Sequence, residues 1–164
     1  MARLEKEIGE NRMEHIEELG LKDLEVFLDA EKNCFPEDDI KQEVWMELLE
    51  DTRTMVYAIK ENDIIKAHLA IYNWKDEKDY IKIMTIGTHS EHRNKGYAHK
   101  LMQHAIDEMM KENMFLFKGE TRASNFKMQK VFENFGYKIT SKDDFYDKPR
   151  EPAYKYSLEV HPTK

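Results

Sequence analysis

Between an apolar run, Tyr80 to Thr88, and a helix-patterned segment, Ala98 to Lys111, the chain reads Glu91-His92-Arg93-Asn94-Lys95-Gly96-Tyr97-Ala98. Strand, basic turn and amphipathic helix in that order make an anion site. Gly96 lets the backbone approach a ligand with no Cβ in the way, and the first N–H groups of a helix have no acceptor inside it. The helix dipole favours negative charge at that end, and Arg93 and Lys95 add cationic side chains. Phosphate is the group such chemistry holds. Other phosphate loops fit poorly, since no Gly-rich segment ends in Gly-Lys-Ser/Thr and no paired glycines of the dinucleotide type occur. On this motif alone, an ordinary basic strand-to-helix turn stays open as the bland alternative.

The elements that must hold this turn in place are read from hydrophobic period. Met1 to Arg12 is polar, and Met13 to Gly20 is expected to form a first strand and its turn. Leu24, Phe27, Leu28, Glu31 and Cys34 follow helical spacing up to Phe35-Pro36, and Asp38 or Asp39 is expected to cap a second helix through Val44, Trp45, Leu48 and Leu49. Met55 to Lys60, a turn at Glu61-Asn62-Asp63 and Ile64 to Trp74 predict a hairpin, with a polar turn at Lys75 to Lys78 before the next strand. Ala98, Leu101, Met102, Ala105, Ile106, Met109 and Met110 form one apolar stripe that must pack on a sheet. Met114 to Glu120 predicts a strand, Ser124-Asn125 opens a helix closed by Gly136, and Tyr137 to Phe145 and Ala153 to Val160 supply two last strands.

Composition narrows the class. With 164 residues, 40% hydrophobic and 36% charged, the chain suits a single domain, residues 1–164, with its own core. A net charge of −7 argues against nucleic acid as a partner, because phosphate backbones need a clustered basic surface. Cys34 is the one cysteine, so no intramolecular disulfide exists; buried packing after a helical pattern suits it better than nucleophilic chemistry. Met1 to Glu10 has no apolar run of signal-peptide length and no stretch is of membrane-spanning length, so the expectation is a cytoplasmic protein with no membrane partner. Among His68, His89, His92, His99 and His104 no metal-ligand set is apparent, His99 and His104 being on different helical faces; no metal is expected.

A second block carries the family signal. Glu120-Thr121-Arg122-Ala123-Ser124-Asn125, followed by a helix ending Phe132-Glu133-Asn134-Phe135-Gly136-Tyr137, closely resembles the GNAT superfamily of acetyl-CoA-dependent N-acetyltransferases when taken with the Arg93 to Ala98 turn. Within it the chain is similar to the branch that acetylates the N-terminus of ribosomal proteins, also through Cys34-Phe35-Pro36 and Pro149-Arg150-Glu151-Pro152-Ala153-Tyr154. The resemblance spans Leu21 to Leu158. It implies an α/β fold with a mixed, mostly antiparallel central sheet of about seven strands flanked by about four helices. The order along the chain would be strand, two helices, three strands, helix, strand, helix and two strands.

The resemblance also implies roles. Acetyl-CoA would be the co-substrate, its pantetheine arm hydrogen-bonded along the fourth strand at Ile86 to Thr88 and its pyrophosphate resting on the amides from Arg93 through Asn94, Lys95, Gly96 and Tyr97 to Ala98. Asn125 matches the residue that contacts the cofactor arm, and Phe132 is counted with it. A neutral amine attacks the thioester through a tetrahedral intermediate, so a base that removes a proton, directly or through water, raises the reactive fraction. Glu120, expected at a strand end facing an apolar gap, matches that carboxylate; the bland alternative is a solvated charge or a pair with Arg122. The family's general acid is a tyrosine where this chain has Phe132, which has no proton to give. Tyr146 and Tyr137 are the candidate substitutes, Tyr146 being preferred as catalytic. The acceptor is a peptide or protein N-terminus or a small amine, and a homodimer stays open. The alternatives are a small-metabolite acetyltransferase and a non-catalytic acyl-CoA-binding module.

Overall fold

A computed structural model describes residues 14–36, 42–74, 80–93, 95–147 and 149–161. The expectations for Met1 to Arg12, for an Asp38 or Asp39 cap, for the Lys75 to Lys78 turn and for Asn94 lie outside the described residues. Seven strands and four helices follow one another as β1 (His15–Leu19), α1 (Leu24–Cys34), α2 (Gln42–Glu50), β2 (Thr54–Glu61), β3 (Ile64–Trp74), β4 (Tyr80–Thr88), α3 (Tyr97–Lys111), β5 (Leu116–Arg122), α4 (Phe126–Asn134), β6 (Lys138–Asp147) and β7 (Arg150–Glu159). Short 3₁₀ turns at Leu21–Asp23 and Ser90–His92 precede α1 and follow β4. The sequence of elements is the expected one. In the sheet the order is β1-β2-β3-β4-β5-β7-β6, so β7 inserts between β5 and the edge strand β6. Pairing is antiparallel for β1 with β2, β5 with β7 and β6 with β7, and parallel for β4 with β5 at Ile81–Phe117 and Lys82–Lys118.

The chain forms two compact units. The first takes the residues up to Ala70 and Thr85–Met102, the second Ile71–Met84 and Gln103–Lys164. In the first, the apolar stripe of α1 delivers Phe27 and Ala30 to a cluster with Leu19, Trp45, Val56, Ala58, Ile65 and Ala70. Phe27 meets Trp45 edge to face at 4.8 Å, the arrangement ring quadrupoles favour. Strand β2 is buried on both faces from Val56 to Lys60, as an interior strand must be. Asn62 and Asp63 both take positive φ (54° and 63°) in the β2–β3 turn, the twist a two-residue hairpin needs, and Asn and Asp tolerate it best after glycine.

In the second unit, α4 ends as its sequence predicts. Gly136 adopts φ +88° and its N–H reaches Glu133 O at 3.0 Å, while Tyr137 N–H bonds Phe132 O at 3.0 Å. Strand β6 is exposed along most of its length and breaks register with β7 near Ser141, so charged side chains and bulges guard this edge of the sheet. Among the described residues no helix is long and apolar enough to cross a membrane.

Candidate functional site

The phosphate turn lies wholly in the first unit. Gly96 has φ +76°, and a Cβ built there meets no atom within 4 Å. Glycine is therefore required by backbone conformation, and the space beside it is open. The first bond of α3 from its flank runs from Lys100 N–H to Gly96 O at 3.1 Å, so the amides of Tyr97 and Ala98 have no carbonyl to reach within the helix. Arg93 and Lys95 are exposed beside them. Arg93 Nε–H also bends back to Thr88 O at 3.4 Å, a long bond at the very edge expected to pair with the cofactor arm.

Tyr97 is buried and its hydroxyl donates to Glu14 at 2.5 Å. Glu14 also pairs with Lys66, which Glu61 holds from the other side. The Tyr97 bond leads the causes that hold the Glu14 carboxyl below its usual range, and burial pushes the Tyr97 phenol up. The Tyr97 side chain thus anchors the start of α3 to β3 and to the residue preceding β1, leaving its main chain to the turn.

Folding adds a carboxylate that the motif reading did not use. Glu31 lies on the apolar stripe of α1 at 8% exposure, and its Oε2 meets His68 Nε2 at 2.9 Å and accepts from Thr85 Oγ1 at 3.3 Å. His68, on β3, is fully buried. A buried carboxylate needs such partners, and the link ties α1 to β3 and to the part of β4 just before Ile86. Two residues on, Gly87 admits the end of α1 closely: a Cβ there would stand 2.9 Å from Cys34 Cβ and 3.0 Å from Cys34 Sγ. Burial pushes the Cys34 thiol up to about 11, with the Glu31 charge adding to it, which makes it inert packing and not a nucleophile.

Spacing alone shows no ligand set among the histidines; in the fold, the 3₁₀ turn after β4 gathers His89, Glu91 and His92 so that one ligand atom from each lies within 4.8 Å of the others. Burial, then the charges of Lys66 and Lys95, keep the His92 imidazole below its ordinary value.

The second block sits in the second unit. Glu120, on β5, is half-buried, with Lys82 Nζ at 3.9 Å from its Oε1 and Lys155 opposite it in the β5–β7 register. Its surroundings are cationic rather than the apolar gap expected, and its recorded partner is Lys82 rather than Arg122. Arg122 instead donates to Pro149 O at 2.8 Å, pairs with Glu151 Oε1 at 3.3 Å and lies over the Tyr146 ring at 4.5 Å. Ser124 Oγ donates to Glu151 at 3.0 Å, and Ala123 N–H to Pro152 O at 2.9 Å. These contacts, the Ser124 bond first, hold the Glu151 carboxyl below its usual range. The Glu120–Asn125 and Pro149–Tyr154 segments are thus two sides of one hydrogen-bonded corner, with Tyr146 in cation–π contact with Arg122. Asn125 caps α4, its Oδ1 accepting from Met128 N–H at 3.1 Å.

Phe132 is fully buried, stacked on Tyr156 at 4.6 Å and 4.9 Å from the Tyr137 ring. Its Cζ and Cε1 would lie 2.6 and 2.7 Å from a Cβ at residue 119, so Gly119 is what lets the ring settle on β5. Burial alone pushes the Tyr137 phenol well up. Among the described residues the Tyr156 hydroxyl has no hydrogen-bond partner.

Comparison with known proteins follows the same lines. Residues 23–137 match the profile of the acetyltransferase (GNAT) family. Among curated protein sequences none matches the chain. The ribosomal-protein-S18-alanine N-acetyltransferase from Escherichia coli is similar in structure, with TM-score 0.80 at 19% identity over 93% of this chain and 97% of that one. Arabidopsis thaliana NAA60 in complex with a bisubstrate analogue gives 0.78 at 10% identity over 91% and 100%. The IAA acetyltransferase from Bacillus cereus ATCC 14579 gives 0.73 at 15% over 90% and 100%. At these identities the structures speak for the fold, while the profile spans well over half of the sequence, and the chain therefore belongs to the acetyltransferase (GNAT) family.

Proposed function

We propose that this acetyltransferase moves the acetyl group of acetyl-CoA to a primary amine, with a peptide or protein N-terminus ahead of a small amine as acceptor. The observation that carries the reading is the Gly96 turn, a left-handed residue with open space beside it at the start of a 15-residue helix. A diphosphate suits that spot because it takes several N–H donors at once and complements the helix dipole. In this reading the main chain from Arg93 to Ala98 holds the pyrophosphate, Asn94 included, with the Arg93 and Lys95 side chains adding charge. The pantetheine arm takes backbone bonds along Ile86 to Thr88, which asks Arg93 to release Thr88 O. Asn125, whose Oδ1 is committed to its cap, meets the arm through Nδ2, whereas Phe132, expected beside the cofactor, is closed inside the core and only supports the helix that carries Asn125.

Glu120 accepts the proton of the incoming ammonium through water, with Lys82 beside its carboxylate and Lys155 turned to Asp144. Tyr146 is the hydroxyl proposed to protonate the leaving thiolate, oriented by the Arg122 guanidinium. The N-terminal acceptor is favoured by likeness to an enzyme named for alanine N-acetylation and by the net charge of −7, which steers cationic acceptors. The whole chain works as one domain in the cytoplasm. A second reading, a coenzyme-binding module without turnover, is favoured by Phe132 alone.

Thiol release from acetyl-CoA, measured against a panel of N-terminal peptides and small amines, tests the proposal. Acceptor-dependent release is expected, and Glu120→Gln should lower its rate by about 10² or more, the usual worth of a general base, with coenzyme affinity unchanged. Tight coenzyme binding with no acceptor dependence would hand the case to the second reading.

A further inference from the structure

We infer that His89, Glu91 and His92 form a binding site for a divalent transition-metal ion on the turn that leads from β4 into the phosphate turn. The three side chains offer two imidazole nitrogens and a carboxylate, with ligand atoms within 4.8 Å of one another. This donor set suits zinc, cobalt or nickel rather than magnesium or calcium, which prefer oxygen.

A second observation is independent of that proximity. Among the described residues, the Nδ1 atoms of both His89 and His92 are buried and make no hydrogen bond, and the two ring centroids lie 5.6 Å apart. Two neighbouring desolvated nitrogens without partners are costly, and an ion that takes their lone pairs removes the cost. Among the described residues His68 Nδ1 is also without a partner, but His68 is already engaged by Glu31 through Nε2.

The backbone fixes the arrangement. His92 N–H bonds His89 O at 2.8 Å, closing the turn, and His89 N–H bonds Lys66 O at 2.8 Å, fastening it to β3. Metal–nitrogen bonds of about 2 Å place tetrahedral ligands roughly 3.4 Å apart, so closure from 4.8 Å needs only side-chain rotation of exposed Glu91 and the half-buried rings. Of the two lysines near His92, Lys66 is already paired with Glu61 and Glu14, and Lys95 reaches into solvent that screens it. Three protein ligands leave one position for water or an anion.

The site does not rest on acetyl transfer, and its test uses the full chain without coenzyme. Zn²⁺ is titrated by calorimetry and Co²⁺ by visible absorption, beside Glu91→Gln, His89→Gln and His92→Gln. One ion per chain with a dissociation constant of about 10 μM or tighter is expected, with tetrahedral cobalt bands and a loss of tenfold or more in each variant. Binding weaker than about 1 mM, or binding equal in parent and Glu91→Gln, overturns the site, the latter by showing an ion held elsewhere. Glu91 is exposed, so that variant stays informative if the histidine variants fail to fold. Failure here leaves acceptor-dependent thiol release untouched, and the reverse holds.

Discussion

Gly96→Ala separates the two things this residue does. In the free protein the added Cβ meets nothing within 4 Å, so the cost is that of holding a non-glycine residue at φ +76°. That is about 1–2 kcal/mol, offset by about 0.4–1 kcal/mol because alanine restricts the unfolded chain. The net is about 1 kcal/mol, which for a chain of this size lowers Tm by about 2–4 °C. Coenzyme binding is affected by another route, since the methyl group enters the space a phosphate must occupy to reach the amides. Charge-assisted bonds from amide to phosphate contribute about 1.5–3 kcal/mol each, so losing one weakens Kd by about tenfold and losing two by 10² or more. Gly96→Asp adds a carboxylate against the diphosphate and should abolish binding, with a stability loss close to that of the alanine variant. Calorimetric titration of CoA into parent and both variants, alongside thermal melts, reads both effects. If Gly96→Ala binds CoA within about twofold of the parent while Tm falls as expected, the diphosphate does not sit on these amides and the reasoning fails.

Glu31→Ala strands His68 Nε2 in a site with no water access and should cost about 3 kcal/mol, whereas Glu31→Gln keeps an acceptor and should cost under about 1 kcal/mol; equal melting temperatures would show that the pair does not hold α1 to β3. Gly119→Ala overlaps the Phe132 ring and should destabilise by about 1–3 kcal/mol, and Phe132→Leu in that background should recover part of it; strict additivity in denaturant melts would contradict the contact. Cys34, pushed from 9.0 to about 11, contributes stability as a neutral, half-buried thiol that is fully present below its unfolded value and lost as pH rises through about 11. Its native-state alkylation should be slow at pH 8 and climb only toward pH 11, and a rate at pH 8 equal to that of a free thiol would refute the burial.

What the sequence made legible is what short-range periodicity can encode. The stripe from Leu101 to Met109 is the buried face of α3, and the Asn62-Asp63 turn has the backbone its residue types favour. Strand β5 was expected to begin at Met114, but the helix end reaches further: Met114 N–H bonds Met109 O at 3.0 Å around Asn113 at φ 62°. The strand then runs to Arg122 because Thr121 and Arg122 pair with Tyr154 and Ala153 of β7, partners no local pattern announces. Glu31 was legible only as a member of the helical spacing of α1, and its partner His68 lies 37 residues away. The His89, Glu91 and His92 cluster is local in sequence, but its ligand atoms come together only through the 3₁₀ turn of residues 90–92, which no apolar period announces. Glu120 was legible by type and place, but its neighbours Lys82 and Lys155 come from two other strands.

Phe132 departs from the family pattern, and the packing around it gives a physical reason. The ring edge formed by Cζ and Cε1 rests where residue 119 would carry a Cβ, so the missing hydroxyl and the missing side chain are two halves of one fit between α4 and β5. A hydroxyl restored on Cζ would extend the edge that is already crowded, inside a stack whose other face is Tyr156 at 4.6 Å. The Phe132 ring is thus locked between Gly119 and Tyr156, and on the proposed reading the proton donor has to lie elsewhere. Tyr137 is sealed in the core beside the same ring, so Tyr146, less buried and aligned by Arg122, is the sequence candidate with access to solvent. On the proposed chemistry its hydroxyl, or water in its place, supplies the proton that Phe132 does not have to give.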